Sequence, residues 1–251
     1  MALRHVLAAV LIAAAWAAGR AETAAPAAPL KICMLSGSAE YNSDASLAEF
    51  KRFLDGRYSA ACTLLSAKDG SDSMPGIEAV DSTDLLVVFM RRISLKADDL
   101  AHVKKHCEAG KPVVGIRTAS HAFQNWLAFD KEVLGGNYGG HYGTGPITEV
   151  QFDGGAKDHP ILAGVEPFTS HYSLYKNTGA AADIRVLATG VIPGHSEPLA
   201  WTRVHGGGRV FYTSLGGPDD FKNENFRRML VNAIFWTAGR NAEPRAFSPK
   251  P

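Results

Sequence analysis

The sequence predicts an α/β protein: a doubly wound, mostly parallel sheet with an antiparallel extension in its second half. Three observations predict it. Short runs apolar on both faces recur in the first half, with Asp84 to Met90 the clearest, as strands buried between two helical layers require. These runs alternate with stretches of helical periodicity, joined by short turns, the pattern of βα units. In the second half the pattern changes to alternation over Ile147 to Phe152, and Gly206-Gly207-Gly208 separates two strand-like runs, which is a hairpin signal.

Lys31 to Ser36 is a short apolar run ending at Gly37 and reads as the first buried strand. Ser43 or Asp44 can cap a helix reaching about Tyr58, with Leu47, Phe50 and Leu54 on one face. Cys62 to Leu65 follows as a second strand, and Asp69 to Pro75 is turn-forming. After the strand at Asp84 to Met90, a helix runs from about Lys96 to Ala109. Leu100, Val103 and Cys107 face inward, and Gly110 stops it. His102 and His106 have the i, i+4 spacing of a metal pair, but this register turns both largely to solvent and no third ligand accompanies them. Pro112 to Ile116 is the next buried strand, leading through Arg117 into a short helix over Ser120 to Phe129. Ile184 to Ala188, Leu199 to Val204 and Arg209 to Ser214 are the later strands. Asn223 to Ala238 is a closing helix with Phe226, Leu230, Ile234 and Phe235 inward.

The 251 residues, 46% of them apolar, suit one α/β domain. A formal charge of +1, with no basic stripe, gives no support to nucleic-acid binding. Residues 1–21 read as a signal peptide: a polar start at Arg4-His5, an apolar run from Val6 to Ala18, then small residues. The run is too short to span a bilayer comfortably. Removing residues 1–21 takes away Arg4 and Arg20 and no acid, leaving 24 basic and 25 acidic residues. Residues 22–30 read as an Ala/Pro linker, 31–239 as the domain and 240–251 as a tail. The expectation is an exported protein, periplasmic or extracellular, with no membrane span once the signal is removed; a homo-oligomer is left open. Cys33, Cys62 and Cys107 are odd in number, match no metal motif and read as small buried hydrophobes. No metal or cofactor is expected.

Open α/β sheets bind ligands at the carboxyl ends of their strands. Three loops therefore carry the expected site: Ser36 to Asp44, Met90 to Ser94 and Arg117 to His121.

Several segments together resemble the ThuA-like family. They are Pro112-Val-Val-Gly-Ile-Arg-Thr-Ala-Ser-His121, Leu134-Gly-Gly-Asn-Tyr-Gly-Gly-His-Tyr-Gly143, Asp158-His-Pro-Ile161, Glu197-Pro-Leu-Ala-Trp-Thr-Arg203 and Arg209-Val-Phe-Tyr-Thr-Ser-Leu-Gly216. The resemblance spans roughly Lys31 to Gly239 and implies a flavodoxin-type, class I glutamine-amidotransferase-like sheet and a link to sugar utilisation. In amidotransferases of that architecture the turn after the strand presents a cysteine. Here Arg117 occupies it, and a guanidinium is not a nucleophile, so no glutaminase activity is expected. Many ThuA-like proteins carry His at this turn. Arg117 departs from that pattern, as does Gly217, where a His would match the family.

Arg117 can act as a clamp for an anion or carbonyl, or form a structural pair with an Asp or Glu. His121, four residues on, is a general base or a packed, hydrogen-bonded His. His141 lies in a Gly-rich loop long enough to fold back over the cleft. Tyr138 and Tyr142 offer flat faces to a sugar ring. Glu197 and the Asp219-Asp220 pair are candidate carboxylates, the latter equally placed to cap the last helix. The expected function is an enzyme acting on a sugar or keto-glycoside, with His141 or His121 as base and Arg117 as oxyanion clamp. The alternative is a noncatalytic carbohydrate- or ligand-binding envelope protein using the same cleft. A structural domain of the envelope with a vestigial cleft is a third reading, which an open apolar patch outside the cleft would favour.

Overall fold

In the computed structural model, residues 28–67 and 72–244 are described; the expected signal peptide lies outside them, as do most of the linker and of the tail. One nine-stranded sheet organises the chain. Its strands are β1 (Leu30–Gly37), β2 (Ala60–Ser66), β3 (Leu85–Met90), β4 (Val113–Ile116), β5 (Thr148–Phe152), β6 (Phe168–Ser170), β7 (Arg185–Ile192), β8 (His195–His205) and β9 (Gly208–Thr213). Their order is β2-β1-β3-β4-β9-β8-β7-β5-β6. The first five in this order run parallel, and the remaining pairings are antiparallel. Every residue of β3 is buried, as a central strand covered on both faces must be.

Helices α1 (Ser43–Arg57), α2 (Ala97–Glu108) and α3 (Glu224–Thr237) cover the two faces. Leu47, Phe50 and Leu54 of α1 share one core with Phe226, Leu230 and Ile234 of α3. Leu100, Val103 and Cys107 of α2 join Phe123 and Phe129 in a core on the opposite face. The winding on both sides places the ends of β1, β3 and β4 next to one another at one edge. Gly110, at φ 65, ends α2 in the left-handed conformation expected there. It also lets the β8–β9 hairpin close in, since a Cβ at Gly110 would stand 2.0 Å from the Gly206 carbonyl oxygen.

Three expectations need correction. The helix over Ser120 to Phe129 does not form. A 3-10 turn spans Arg117–His121 instead, and a π-helical turn spans Asp130–Leu134. The reason is tertiary: the N–H of Ile93 donates to the Ala122 carbonyl at 2.8 Å, and that of Gln124 donates to the Ile93 carbonyl at 2.9 Å. These bonds to the β3 loop replace helical ones. His106 is 3% exposed rather than solvent-facing, and its Nε2 meets the Pro112 carbonyl at 3.0 Å. Burial lowers its pKa. The final helix is capped not by Asp219 or Asp220 but by Asn223, whose side chain accepts from the N–H groups of Asn225 and Phe226.

All three cysteines are buried and free. Burial pushes the Cys33 and Cys107 thiols up to about 12 and raises Cys62 as well, which leaves them unreactive. Among the described residues, no helix is long and apolar enough to cross a membrane.

Candidate functional site at the carboxyl edge of the sheet

Among the described residues, three non-glycine residues have left-handed backbones: Asn42 at φ 48, Arg92 at φ 50 and Arg117 at φ 45. They lie in the segments that leave β1, β3 and β4, which are neighbours in the sheet. Such a conformation costs an L-residue about 1–2 kcal/mol. Strain of this kind persists where surrounding structure imposes it, and it clusters at functional sites. A hollow of about 300 Å³ opens at the same edge, beside Gly37, Ser38, Asn42, Ser43 and Asp44.

Arg117 follows the last residue of β4 directly, and its side chain is 1% exposed. It is therefore not held out into an open cleft. Its Nη1 donates to the Ser214 carbonyl at 2.6 Å, and its Nη2 donates to Tyr41 Oη at 3.2 Å and to the Ser173 carbonyl at 3.3 Å. The guanidinium carbon lies 4.2, 4.7 and 5.4 Å from the ring centres of Tyr41, Tyr175 and Tyr172, a cage of π faces suited to a cation. Among the described residues, no carboxylate pairs with it directly. Burial opposes its charge, but the surrounding tyrosines and Asp220 outweigh burial and hold the pKa above its usual value. Its Nε finds no partner among the described residues.

Asp220 is 3% exposed and accepts from the N–H groups of Gly216 and Gly217 at 2.8 and 2.9 Å. Burial raises its pKa, partly offset by those bonds. Gly217 explains one departure from the family pattern. A Cβ there would stand 1.9 Å from the Tyr172 ring, so the ring that helps cage Arg117 occupies the space of any larger side chain. Arg117 and Gly217 are thus linked through Tyr172.

His121, Tyr138, Tyr175 and His141 make a second layer. The His121 ring stacks on Tyr138 with centres 4.3 Å apart, and it lies 6.1 Å from Tyr175. Its Nδ1 meets Ser120 Oγ at 3.0 Å. His141 bridges to Tyr175 through the backbone, with ring centres 6.5 Å apart. Tyr175 therefore touches Arg117 on one side and both histidines on another. Burial, then the charges of Arg92, Arg91, Arg117 and His141, depress the His121 pKa to about 3. The imidazole is neutral throughout the physiological range, suited to hydrogen bonding more than to taking up a proton. His141 is exposed.

The Gly-rich loop reaches this layer by pairing with residues 174–176. The N–H groups of Gly139, Tyr142 and Lys176 donate to the carbonyls of Lys176, Leu174 and Gly140, each at 2.9 Å. Asp130 anchors the start of this strap. Its Oδ2 accepts from the Tyr138 N–H at 2.8 Å, its Oδ1 is buried without a partner among the described residues, and burial pushes its pKa up to about 6.

The remaining sequence candidates lie elsewhere or are already engaged. Tyr142 donates to Glu197 at 2.8 Å, its ring stacks on His195, and the Lys176 ammonium lies 4.7 Å from its centre. Glu197 is 4% exposed and also accepts from the Asn177 N–H at 3.0 Å. These contacts tie the strap to β8. Asp219 is exposed and pairs with Lys222 at 2.8 Å. Of the two adjacent aspartates, Asp220 is the buried one that bears on Arg117.

Tyr172, Tyr175 and Arg92 were not singled out by sequence reasoning. Arg92 lies inside the Met90 to Ser94 loop and was open to the strand-end argument. The two tyrosines fall in a stretch, His171-Tyr-Ser-Leu-Tyr175, whose aromatic content was its only signal.

The solved structures most similar in fold include a ThuA-like protein of Parabacteroides merdae, at 20% identity and TM-score 0.66, covering 86% of this chain and 92% of that one. A ThuA-like protein of Bacteroides uniformis follows, at 20% identity and TM-score 0.64, covering 87% and 95%. A β-galactosidase of Bacillus circulans sp. alkalophilus shares the fold at 12% identity and TM-score 0.56, covering 85% of this chain and 32% of that one. A search of curated proteins found no match. The sequence model of the ThuA family, described as trehalose utilisation, matches residues 32–237. With that match over most of its length and the sheet order above, the chain belongs to the ThuA family.

Proposed function

We propose that this protein binds and acts on a sugar or keto-glycoside at the carboxyl edge of its sheet. The observation that carries the reading is the meeting of His121, Tyr138 and His141 around Tyr175, above a caged arginine, at an edge where three strained backbone positions gather. The family's description as trehalose utilisation supports the carbohydrate part. Proton transfer next to a carbonyl needs a base and a group to stabilise the oxyanion. His141, exposed on the strap, is the base in this reading. Neutral His121 and the Tyr41 hydroxyl, which accepts from Arg117, supply hydrogen bonds. Arg117 is then a positioning residue acting through Tyr41 and Tyr175. Tyr138 presents its ring to the ligand, while Tyr142 and Glu197 fix the strap.

The test is a thermal-shift screen against sugars and keto-glycosides, followed by a turnover assay on those that bind. Ligand at 100 times its Kd stabilises by about 2.7 kcal/mol. Loss of turnover with retained binding in His141→Ala supports catalysis. Binding without turnover in the wild type establishes the second reading, a noncatalytic carbohydrate-binding protein, which the sealing of Arg117 favours. No stabilisation by any sugar overturns both. We further propose export to the periplasm or exterior, on the strength of residues 1–21; N-terminal sequencing that finds Met1 on cytoplasmic protein overturns it. The amidotransferase reading has no support, and ammonia release from glutamine should be undetectable.

A further inference from the structure

Arg92 has a role still unassigned. It stands just beyond β3 with its backbone at φ 50. Its N–H donates to the His121 carbonyl at 2.8 Å, and the N–H of Ile93 donates to the Ala122 carbonyl at 2.8 Å. Two backbone bonds therefore pin it beside His121. Its side chain is exposed. Among the described residues the structure records no hydrogen bond or ion pair for its guanidinium, whereas the adjacent Arg91 is tied to Glu40 at 2.8 Å. Burial is the larger influence on the titration of both stacked rings, lowering His121 and raising Tyr138, and the Arg92 charge acts on each of them as a smaller one.

The acids of this edge are already committed. Glu40 serves Arg91, Asp44 accepts from Ser36 Oγ, and Asp220 accepts from two backbone N–H groups. Arg117 adds a second cation beneath the same layer. The edge thus holds, among the described residues, an exposed guanidinium without a recorded partner on strained backbone. An anion arriving from solvent would find this donor uncommitted, and a planar carboxylate matches the two-pronged donor geometry of arginine. His121, with Nδ1 engaged by Ser120, keeps its other ring nitrogen for the same ligand.

We propose that Arg92, with His121 beside it and His141 on the facing strap, receives an anionic group of the ligand, so that the sugar is an acidic one bearing a carboxylate, of the uronic or aldonic class. The inference rests on the carbohydrate reading above for the sugar and on Arg92 for the charge. Arg92→Asn is the variant of choice, because Asn tolerates a left-handed backbone better than Arg, so loss of fold cannot mimic loss of the guanidinium.

Calorimetric titration with D-glucuronate, D-glucose, trehalose and inorganic phosphate tests it. The expected result is glucuronate binding that weakens about tenfold in Arg92→Asn, is partly restored in Arg92→Lys, and weakens in about 0.5 M salt, with D-glucose and trehalose weak throughout. Neutral sugars binding as tightly as glucuronate, unchanged in Arg92→Asn, would overturn the acidic-ligand inference while leaving the carbohydrate reading intact. Phosphate binding as tightly as glucuronate, lost in Arg92→Asn and without response to neutral sugars, would keep the anion site and overturn the sugar assignment. No binding by any probe overturns both.

Discussion

Gly217 and Tyr172 show how one residue's size can decide what another does. The Tyr172 ring fills the space where a side chain at position 217 would begin, and the same ring faces the Arg117 guanidinium. Gly217→Ala is therefore expected to destabilise the fold by about 1–3 kcal/mol, the usual cost of overpacking. In a Tyr172→Ala background the added cost should fall below about 0.5 kcal/mol, which a double-mutant cycle by chemical denaturation would detect. Equal costs in both backgrounds would show that the ring is not the obstacle. Arg117 makes a separate prediction. Its side chain satisfies the Ser214 and Ser173 carbonyls, and Arg117→Met leaves both without their donor. The expected loss is about 2–4 kcal/mol, with no gain of glutaminase activity. A variant as stable as wild type would mean that these carbonyls find other donors.

The strap is the element on which the proposed site depends, and its anchor is Asp130. That carboxylate accepts from the Tyr138 N–H through one oxygen and leaves the other buried and unpaired. Burial raises its pKa to about 6, against an unfolded value near 3.9. Below about pH 4 the group is protonated in both states, and the folded state keeps its full advantage. As pH rises from about 4 to 6 the unfolded chain ionises first, and that stability is lost. At neutral pH the folded state therefore carries a penalty of roughly 2–3 kcal/mol. Asp130→Asn keeps an acceptor for Tyr138 and removes the charge, so its denaturation midpoint at about pH 7.5 should exceed that of the wild type. A lower midpoint would show that an ordered water or a rotation already satisfies the second oxygen. The strap's existence was legible in the run of glycines around His141. Its partner was not, because the pairing of residues 139–142 with 174–176 joins two irregular segments, and no local periodicity encodes such a contact. The helices α1, α2 and α3 and the buried strands were legible because each carries its own period. The segment after Arg117 misled because its helical pattern yields to hydrogen bonds from the β3 loop.

At the scale of the whole molecule, the parallel half and its winding were readable from alternation of buried runs and helices, and the strand-end rule points to the edge where the strained residues gather. Burial of single polar side chains was not readable. His106 looked solvent-facing from helix phase alone, yet packing against the Pro112 carbonyl buries it. The consequence is a pH dependence. His106, His121 and His159 all have pKa values lowered first by burial, His121 to about 3. A base whose folded pKa is depressed contributes stability that is complete above its unfolded pKa, near 6.5, and is lost as pH falls through the folded value. Asp130 and Asp220, both raised by burial, act in the opposite sense: Asp130 regains stability as pH falls from about 6 towards 4, and Asp220 shifts in the same direction. The three histidines should therefore dominate first, with stability declining between about pH 7.5 and 6, and the two acids should flatten the decline below that. Urea denaturation at a series of pH values would show this shape. In Asp130→Asn the flattening should weaken and the decline continue further into acid, whereas in His106→Gln the initial slope should shrink. A wild type whose stability rises on acidification from neutral pH would contradict the burial of these histidines in their neutral form.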